Sequence, residues 1–177
     1  MATLPLRRFD ADAYARMVAS GALDGEPVEL LEGVLCEVSP QTPAHALIIQ
    51  RLTRHLARAE AWLRVQLPLQ VARDSVPEPD LALVIEEPGA DRHPTSAMLV
   101  VEVAVSSHEV DRGIKAQLYG AAGIPVYWLI DEPGRSIEVR TGPTPDGYTR
   151  TDVYALGATV PSPAAGVDVL TVASLLS

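Results

Sequence analysis

The chain has one lysine, Lys115, against thirteen arginines, one cysteine, Cys36, and no apolar run near the ~20 residues that a membrane span requires. Each scarcity excludes something. A single cysteine forms no internal disulfide, and the start, Met-Ala-Thr-Leu-Pro-Leu-Arg-Arg, lacks the apolar stretch of a signal peptide. Both features favour the cytoplasm. Basic residues are few as well: 14 Lys and Arg face 23 Asp and Glu, for a formal charge of -9. That charge opposes sequence-independent attraction to DNA, which rests on phosphate neutralisation, so a nucleic-acid function would need a local basic patch in an acidic envelope. At 177 residues, with no internal repeat, low-complexity tract or linker, the chain is most simply one domain over residues 1–177, long enough to bury a core.

Residues 27–38 read Pro-Val-Glu-Leu-Leu-Glu-Gly-Val-Leu-Cys-Glu-Val, two apolar runs around Glu32-Gly33 that predict a hairpin. A helix follows. Thr42 suits its cap and Pro43 its first position, and Ile48, Leu52, Leu56, Ala59 and Leu63 recur at helical spacing on one face. Arg51, Arg54 and Arg58 fall on another face, either as solvated surface or as a ridge contacting phosphates. Residues 80–85 and 97–105 are Val- and Leu-rich runs of strand length, parted by a Pro- and Gly-containing segment, and predict central strands. Ser106-Ser107-His108-Glu109 has the spacing of a capping box, and Val110, Ile114 and Leu118 supply an apolar helix face that ends at residues 120–123, before Pro125. A strand over 126–130 completes a strand-helix-strand unit and predicts a parallel crossover. Residues 136–140 and 148–154 predict an antiparallel hairpin, and the apolar residues 159–176 an edge segment or short helix.

In the run Met98-Leu-Val-Val-Glu102-Val-Ala-Val, a carboxylate interrupts a strand expected to be buried, so Glu102 needs a partner. Asp80, after Pro79, either merely starts the neighbouring strand or brings a second carboxylate to the same sheet edge, giving an oxygen-rich site suited to Mg2+ or Mn2+. Lys115, beside Ile114 and Leu118, is expected to point toward the sheet. A lysine ammonium is a compact charge with a tunable pKa, which suits polarising a water or pairing with a scissile phosphate. Two carboxylates and an ammonium can hold a metal and activate water against a phosphodiester. The same Glu102 and Lys115 also read as a buried ion pair with no catalytic role, and Asp111, one turn earlier, is an equally good partner for the lysine. Glu29 is either a fourth member of the site or a solvent-facing strand residue. His45 falls on the apolar side of its helix, where a hydrogen-bonded core histidine is the commoner reading. Tyr119, Tyr127 and Trp128 read as packing groups.

Taken together, these residues resemble the PD-(D/E)XK nuclease superfamily and, in detail, its Uma-two family of restriction-endonuclease-like proteins. The resemblance rests on Val28-Glu29-Leu30-Leu31-Glu32-Gly33, Ser39-Pro40, His45, Pro79-Asp80, Val101-Glu102-Val103, Ser106, Asp111, Lys115, Tyr119, Gly123 and Tyr127-Trp128-Leu129-Ile130-Asp131, over residues 27–131. The superfamily pattern places its lysine where Ala104 stands here, and the resemblance implies that Lys115 supplies the amine from the following helix. It further implies an α/β fold: a restriction-endonuclease-like core with a mixed central sheet flanked by helices, an N-terminal hairpin and C-terminal antiparallel strands. Carried over by position, Asp80 and Glu102 are implied metal ligands with the Val103 carbonyl as a third, Lys115 the group that positions or polarises water, and Glu29 an auxiliary acid. His45, Asp111 and Tyr119 are implied to support them.

Two functions from different classes follow, and hydrolysis of a smaller phosphodiester is a third possibility that the acidic charge would tolerate better. One is a Mg2+- or Mn2+-dependent DNA endonuclease that hydrolyses phosphodiester bonds by metal-activated water, for which cutting two strands fits a homodimer. The alternative is a non-catalytic interaction protein that keeps a nuclease-like fold and a structural Glu102-Lys115 pair. The presence of both carboxylates and the lysine favours the enzyme, whereas the acidic net charge favours the second reading.

Overall fold

A computed structural model of the chain describes residues 6–105 and 107–177; Ser106 of the expected capping box, and the first five residues of the start, lie outside the described residues. The element order is α1 (Ala11–Ala19), β1 (Val28–Leu31), β2 (Val34–Glu37), α2 (Pro43–Leu56), β3 (Trp62–Val65), β4 (Leu81–Val84), β5 (Leu99–Ala104) and α3 (His108–Val110). A π-helical turn (Asp111–Lys115) follows, then α4 (Ala116–Ala121), β6 (Val126–Asp131), β7 (Ser136–Thr144), β8 (Gly147–Ala155), β9 (Thr159–Val160), β10 (Leu170–Thr171) and α5 (Val172–Leu176).

Six strands form the central sheet in the order β3-β4-β5-β6-β7-β8. Only β5 and β6 run parallel, across the expected helical crossover. The other neighbours are antiparallel, including the long β7–β8 hairpin. Both faces are covered, which is why β4, β5 and β6 read as nearly unbroken apolar runs. On one face Val101, Val103, Leu81 and Leu83 pack against Ile48, Leu52 and Leu56 of α2 and Leu175 of α5. On the other, Val100, Ala104, Ala82 and Leu129 pack with Ala116 and Tyr119 of α4. Successive side chains alternate between faces, so Glu102 belongs to the α4 side, between Val100 and Ala104.

The N-terminal hairpin is closed by Glu32 and Gly33, both at positive φ (48° and 78°), the conformation a two-residue type I′ turn demands. A Cβ on Gly33 would lie 2.6 Å from the Arg8 side chain. Helix α1, absent from the sequence reading, is capped by Asp10, which accepts from the Ala13 N–H at 2.8 Å, and it braces the hairpin through Tyr14, whose hydroxyl donates to the Val28 carbonyl at 3.0 Å. As expected, α2 is capped by Thr42 with Pro43 in its first turn.

Two sequence expectations are corrected. The apolar spacing carried α2 on to Ala59 and Leu63, but the helix ends at Leu56 and Leu63 lies in β3, paired with Leu83 of β4. Pairing to the sheet overrides local helical spacing there. The second correction concerns the crossover helix, whose apolar face was expected at Val110, Ile114 and Leu118. Val110 and Ile114 are 40% and 42% exposed, and Asp111, Lys115, Ala116 and Tyr119 face the sheet instead. Among the described residues no helix is long and apolar enough to cross a membrane.

Candidate active site

The end of the sheet where β4 begins is where the polar side chains gather. Leu81 pairs with Val101 in antiparallel register, and one further step sets Asp80 across from Glu102. Beyond that step β4 offers β5 no strand partner. The Val103 N–H donates instead to Asp80 Oδ2 at 2.8 Å. Because the N–H and C=O of one strand residue point to the same edge, the Val103 carbonyl is also turned toward Asp80. His45, from the first turn of α2, brings Nε2 to 3.1 Å from Asp80 Oδ2. Gln66, held at φ 50°, donates its backbone N–H to the Asp80 carbonyl at 3.0 Å.

Glu102, 3% exposed, is met from the crossover helix by two donors. Lys115 Nζ is 3.2 Å from Glu102 Oε1, and the Tyr119 hydroxyl donates to the same oxygen at 2.6 Å. The lysine is shared. Glu29 Oε1, brought in by the N-terminal hairpin, lies 3.1 Å from Nζ, and Asp111 Oδ1 lies 4.0 Å away. Glu29 in turn accepts the Glu78 N–H at 3.0 Å through Oε2, and Asp111 accepts the Ser107 hydroxyl. The single lysine therefore sits among three carboxylates from three separate parts of the chain, itself only 7% exposed.

That arrangement sets the protonation. Burial pushes the Glu102 carboxyl up to about 8, with Lys115 opposing the shift and Asp111, Asp80 and Glu29 adding to it. Asp111 is raised too, chiefly by burial, against the pull of Lys115 and Ser107. Burial alone would lower the Lys115 ammonium, but Glu102, Glu29 and Asp111 outweigh it and hold the lysine protonated. Three carboxylates around one ammonium leave an excess of negative charge, and near neutral pH Glu102, raised to about 8, keeps a proton. The lysine is thus tuned upward, toward permanent charge, and a proton-accepting role for it does not fit.

These groups line a cavity of about 380 Å3, whose wall includes Glu29, Glu37, Glu78, Asp80, Glu102, Asp111, His45 and Lys115. The structure thus brings together Asp80, Glu102, Lys115, Glu29, Asp111 and His45; Tyr119 lies behind Glu102, fully buried. It leaves the arginine ridge outside. Arg51 donates to the carbonyls of Leu175 and Ser177 at 2.7 and 2.8 Å, Arg58 faces Asp168 at 3.7 Å, and Arg54 is exposed. Sequence reasoning passed over Glu37, Gln66, Glu78 and Ser107. Glu78 carried a usable signal, an acid between Pro77 and Pro79 next to Asp80, whereas Gln66 follows a strand that local pattern did not reveal.

A divalent cation is the group this fold family implies. The nearby donors are oxygens of Asp80, Glu102 and the Val103 carbonyl, the hard set that Mg2+ prefers, and carboxylates outnumber cations in the wall. Among the described residues no three His, Cys, Asp or Glu side chains stand ready as a closed metal cage. Mg2+ needs none: it is usually held by one or two carboxylates and keeps waters or substrate oxygens for the rest. The residues fit that mode.

A mixed α/β sheet with paired carboxylates at one strand end and a buried lysine from the crossover helix defines a restriction-endonuclease-like protein. The family Uma2, described as putative restriction endonuclease, matches residues 11–173, and the chain belongs to that family. The fold is also that of a putative nuclease belonging to DUF820 from Anabaena variabilis, with a TM-score of 0.71, 17% identity and coverage of 95% of this chain and 97% of that one. No curated protein matches the chain.

Proposed function

We propose that the chain is a Mg2+- or Mn2+-dependent nuclease that hydrolyses a DNA phosphodiester at the cavity between β5 and the crossover helix. The observation that carries this is Lys115, buried yet lining a cavity that Asp80 also lines, 3.1 and 3.2 Å from Glu29 and Glu102. A structural ion pair needs no cavity at its side. When bound, the cation would supply Lewis-acid activation of water and neutralise charge on phosphorus. Asp80 and Glu102, with the Val103 carbonyl, would hold it. His45 and the Val103 N–H fix the Asp80 carboxylate, and Tyr119 fixes Glu102 by donating to Oε1. Lys115, kept protonated by its carboxylates, orients the water and the phosphate oxygen and does not take the proton. In the net reaction one water is consumed: its oxygen bonds phosphorus, the P–O bond to one sugar breaks, and a proton ends on the departing oxygen.

The test is a cleavage assay on plasmid, single-stranded DNA and a dinucleotide with Mg2+ or Mn2+, comparing wild type with Asp80→Asn and Lys115→Arg. Wild type should cut and both variants should lose most activity, the second because a planar guanidinium does not fit the slot between Glu29 and Glu102. Silence of the wild type with either metal, on a dinucleotide as well as on plasmid and single strands, would favour the interaction protein. Near wild-type cutting by the arginine variant would refute the role given to Lys115.

A further inference from the structure

We infer that the site takes a short substrate, an oligonucleotide of a few residues, and does not track a long nucleic-acid backbone; this rests on the phosphodiester hydrolysis proposed above. Three observations converge. The first is the sign of the wall. Beyond the carboxylates assigned to the metal, the cavity is flanked by Glu37 and Glu78, both exposed, while Lys115 is buried and already shared by Glu29, Glu102 and Asp111. A duplex carries one charge per ~1.7 Å of axis, so flanking phosphates would be pressed against these acids. Each such pair is repulsive, and salt screens it only in part at close range. A dinucleotide brings only its own phosphate, which Lys115 would face.

The second observation is where the arginines are spent. Arg51 and Arg135 hold carbonyls of the C-terminal segment, and Arg64 holds the Pro68 carbonyl. Arg112 is bound at 2.7 Å by both Asp131 and Glu138, and Arg140 at 2.8 Å by Glu138. These side chains brace the fold, and among the described residues none of the arginines lines the cavity. The third is size and surface. A cavity of about 380 Å3 suits a ligand of one or two nucleotides, and Val38, Pro40, Val105 and Val110 give its wall apolar area on which a base can rest.

The experiment compares kcat/KM per scissile bond for a dinucleotide, a single-stranded 12-mer and a 30-base-pair duplex in Mg2+, across a salt series. In parallel, binding of the three labelled molecules is followed by fluorescence anisotropy with Ca2+ replacing Mg2+. The expected result is no gain with length, tightest binding by the dinucleotide, and a salt dependence no steeper than one phosphate gives. Glu37→Lys should raise the 12-mer relative to the dinucleotide several-fold, since it reverses an exposed wall charge. Efficiency that climbs with length and falls steeply with salt would overturn the inference and leave the nuclease intact. An unchanged length ratio in Glu37→Lys would also overturn it. Failure to hydrolyse any of the three would instead defeat the nuclease reading itself.

Discussion

At the level of single residues, the site stores a cost in Glu102. Its carboxyl sits at about 8 in the folded chain against 4.5 for an ordinary glutamate. Between those values the native state holds a proton that the unfolded chain has released. Unfolding therefore releases a proton, and stability falls as pH rises. The contribution is fully present below about 4.5, is lost on rising through about 8, and flattens above it. In EDTA, the wild-type Tm should decline from pH 5 to pH 9. Glu102→Gln should reduce that decline, because its amide oxygen still accepts from Tyr119 and Lys115 without carrying charge; Asp111, shifted the same way, leaves a residual slope. An identical slope in both proteins would remove Glu102 from this role. Lys115→Met should do the reverse, leaving three buried carboxylates without their cation. A loss of about 3–5 kcal/mol is expected at pH 9, and less at pH 5 where the acids take up protons.

At the level of elements, the crossover helix shows what the sequence could and could not disclose. Strands β4 to β8 were legible because burial on both faces, or a turn between alternating runs, leaves a local pattern, and the β1–β2 hairpin announced itself at Glu32-Gly33. Strand β3 was not, since four residues following a helix become a strand only by pairing with β4. The helix was legible as a helix, yet its inward face was misread: hydrophobic spacing put Val110 and Ile114 inside, whereas the fold buries Asp111 and Lys115. Lys115 was expected to face the sheet, and it does, though not for the reason the apolar stripe offered. Glu29 could not be placed on sequence grounds, because its contact with Lys115 is made by chain segments far apart. The π turn explains the face. In a regular α-helix, residues 111, 115 and 119 drift about 80° around the axis over eight residues, and a wider turn winds less per residue, which keeps Asp111, Lys115 and Tyr119 on one strip. Deleting Gly113, which has open space around it, should restore an α-helical turn and rotate Asp111 off that strip. Cleavage should fall sharply while the Tm moves by only a few degrees, as read by assay and calorimetry. A large loss of Tm would mean that the turn serves packing and not the site.

At the level of the whole molecule, a formal charge of -9 means that any salt screens repulsion, so metal stabilisation must be separated from general ionic strength. The separation is available because the cavity concentrates its charge at specific oxygens: Asp80 is fixed by His45 and the Val103 N–H, with the Val103 carbonyl turned toward it. A ligand that binds only the native state stabilises it by about 2.7 kcal/mol at a hundredfold excess over Kd. For a domain of this size, that corresponds to a rise in Tm of roughly 5–10 °C. Saturating Mg2+ or Mn2+ should give such a rise over NaCl of equal ionic strength. Asp80→Asn should abolish the difference while keeping the fold, because its side-chain oxygen still accepts from the Val103 N–H. Glu86→Gln, at an exposed carboxylate outside the cavity, removes the same charge and should leave the difference intact. If NaCl matched the divalent cation, or if Glu86→Gln blunted the rise as much as Asp80→Asn, the stabilisation would belong to the acidic envelope as a whole and the metal site would lose its support. A rise confined to proteins with Asp80 intact would place the cation at the end of β4, where the fold leaves the Val103 edge of β5 without a strand partner and fills it with a carboxylate.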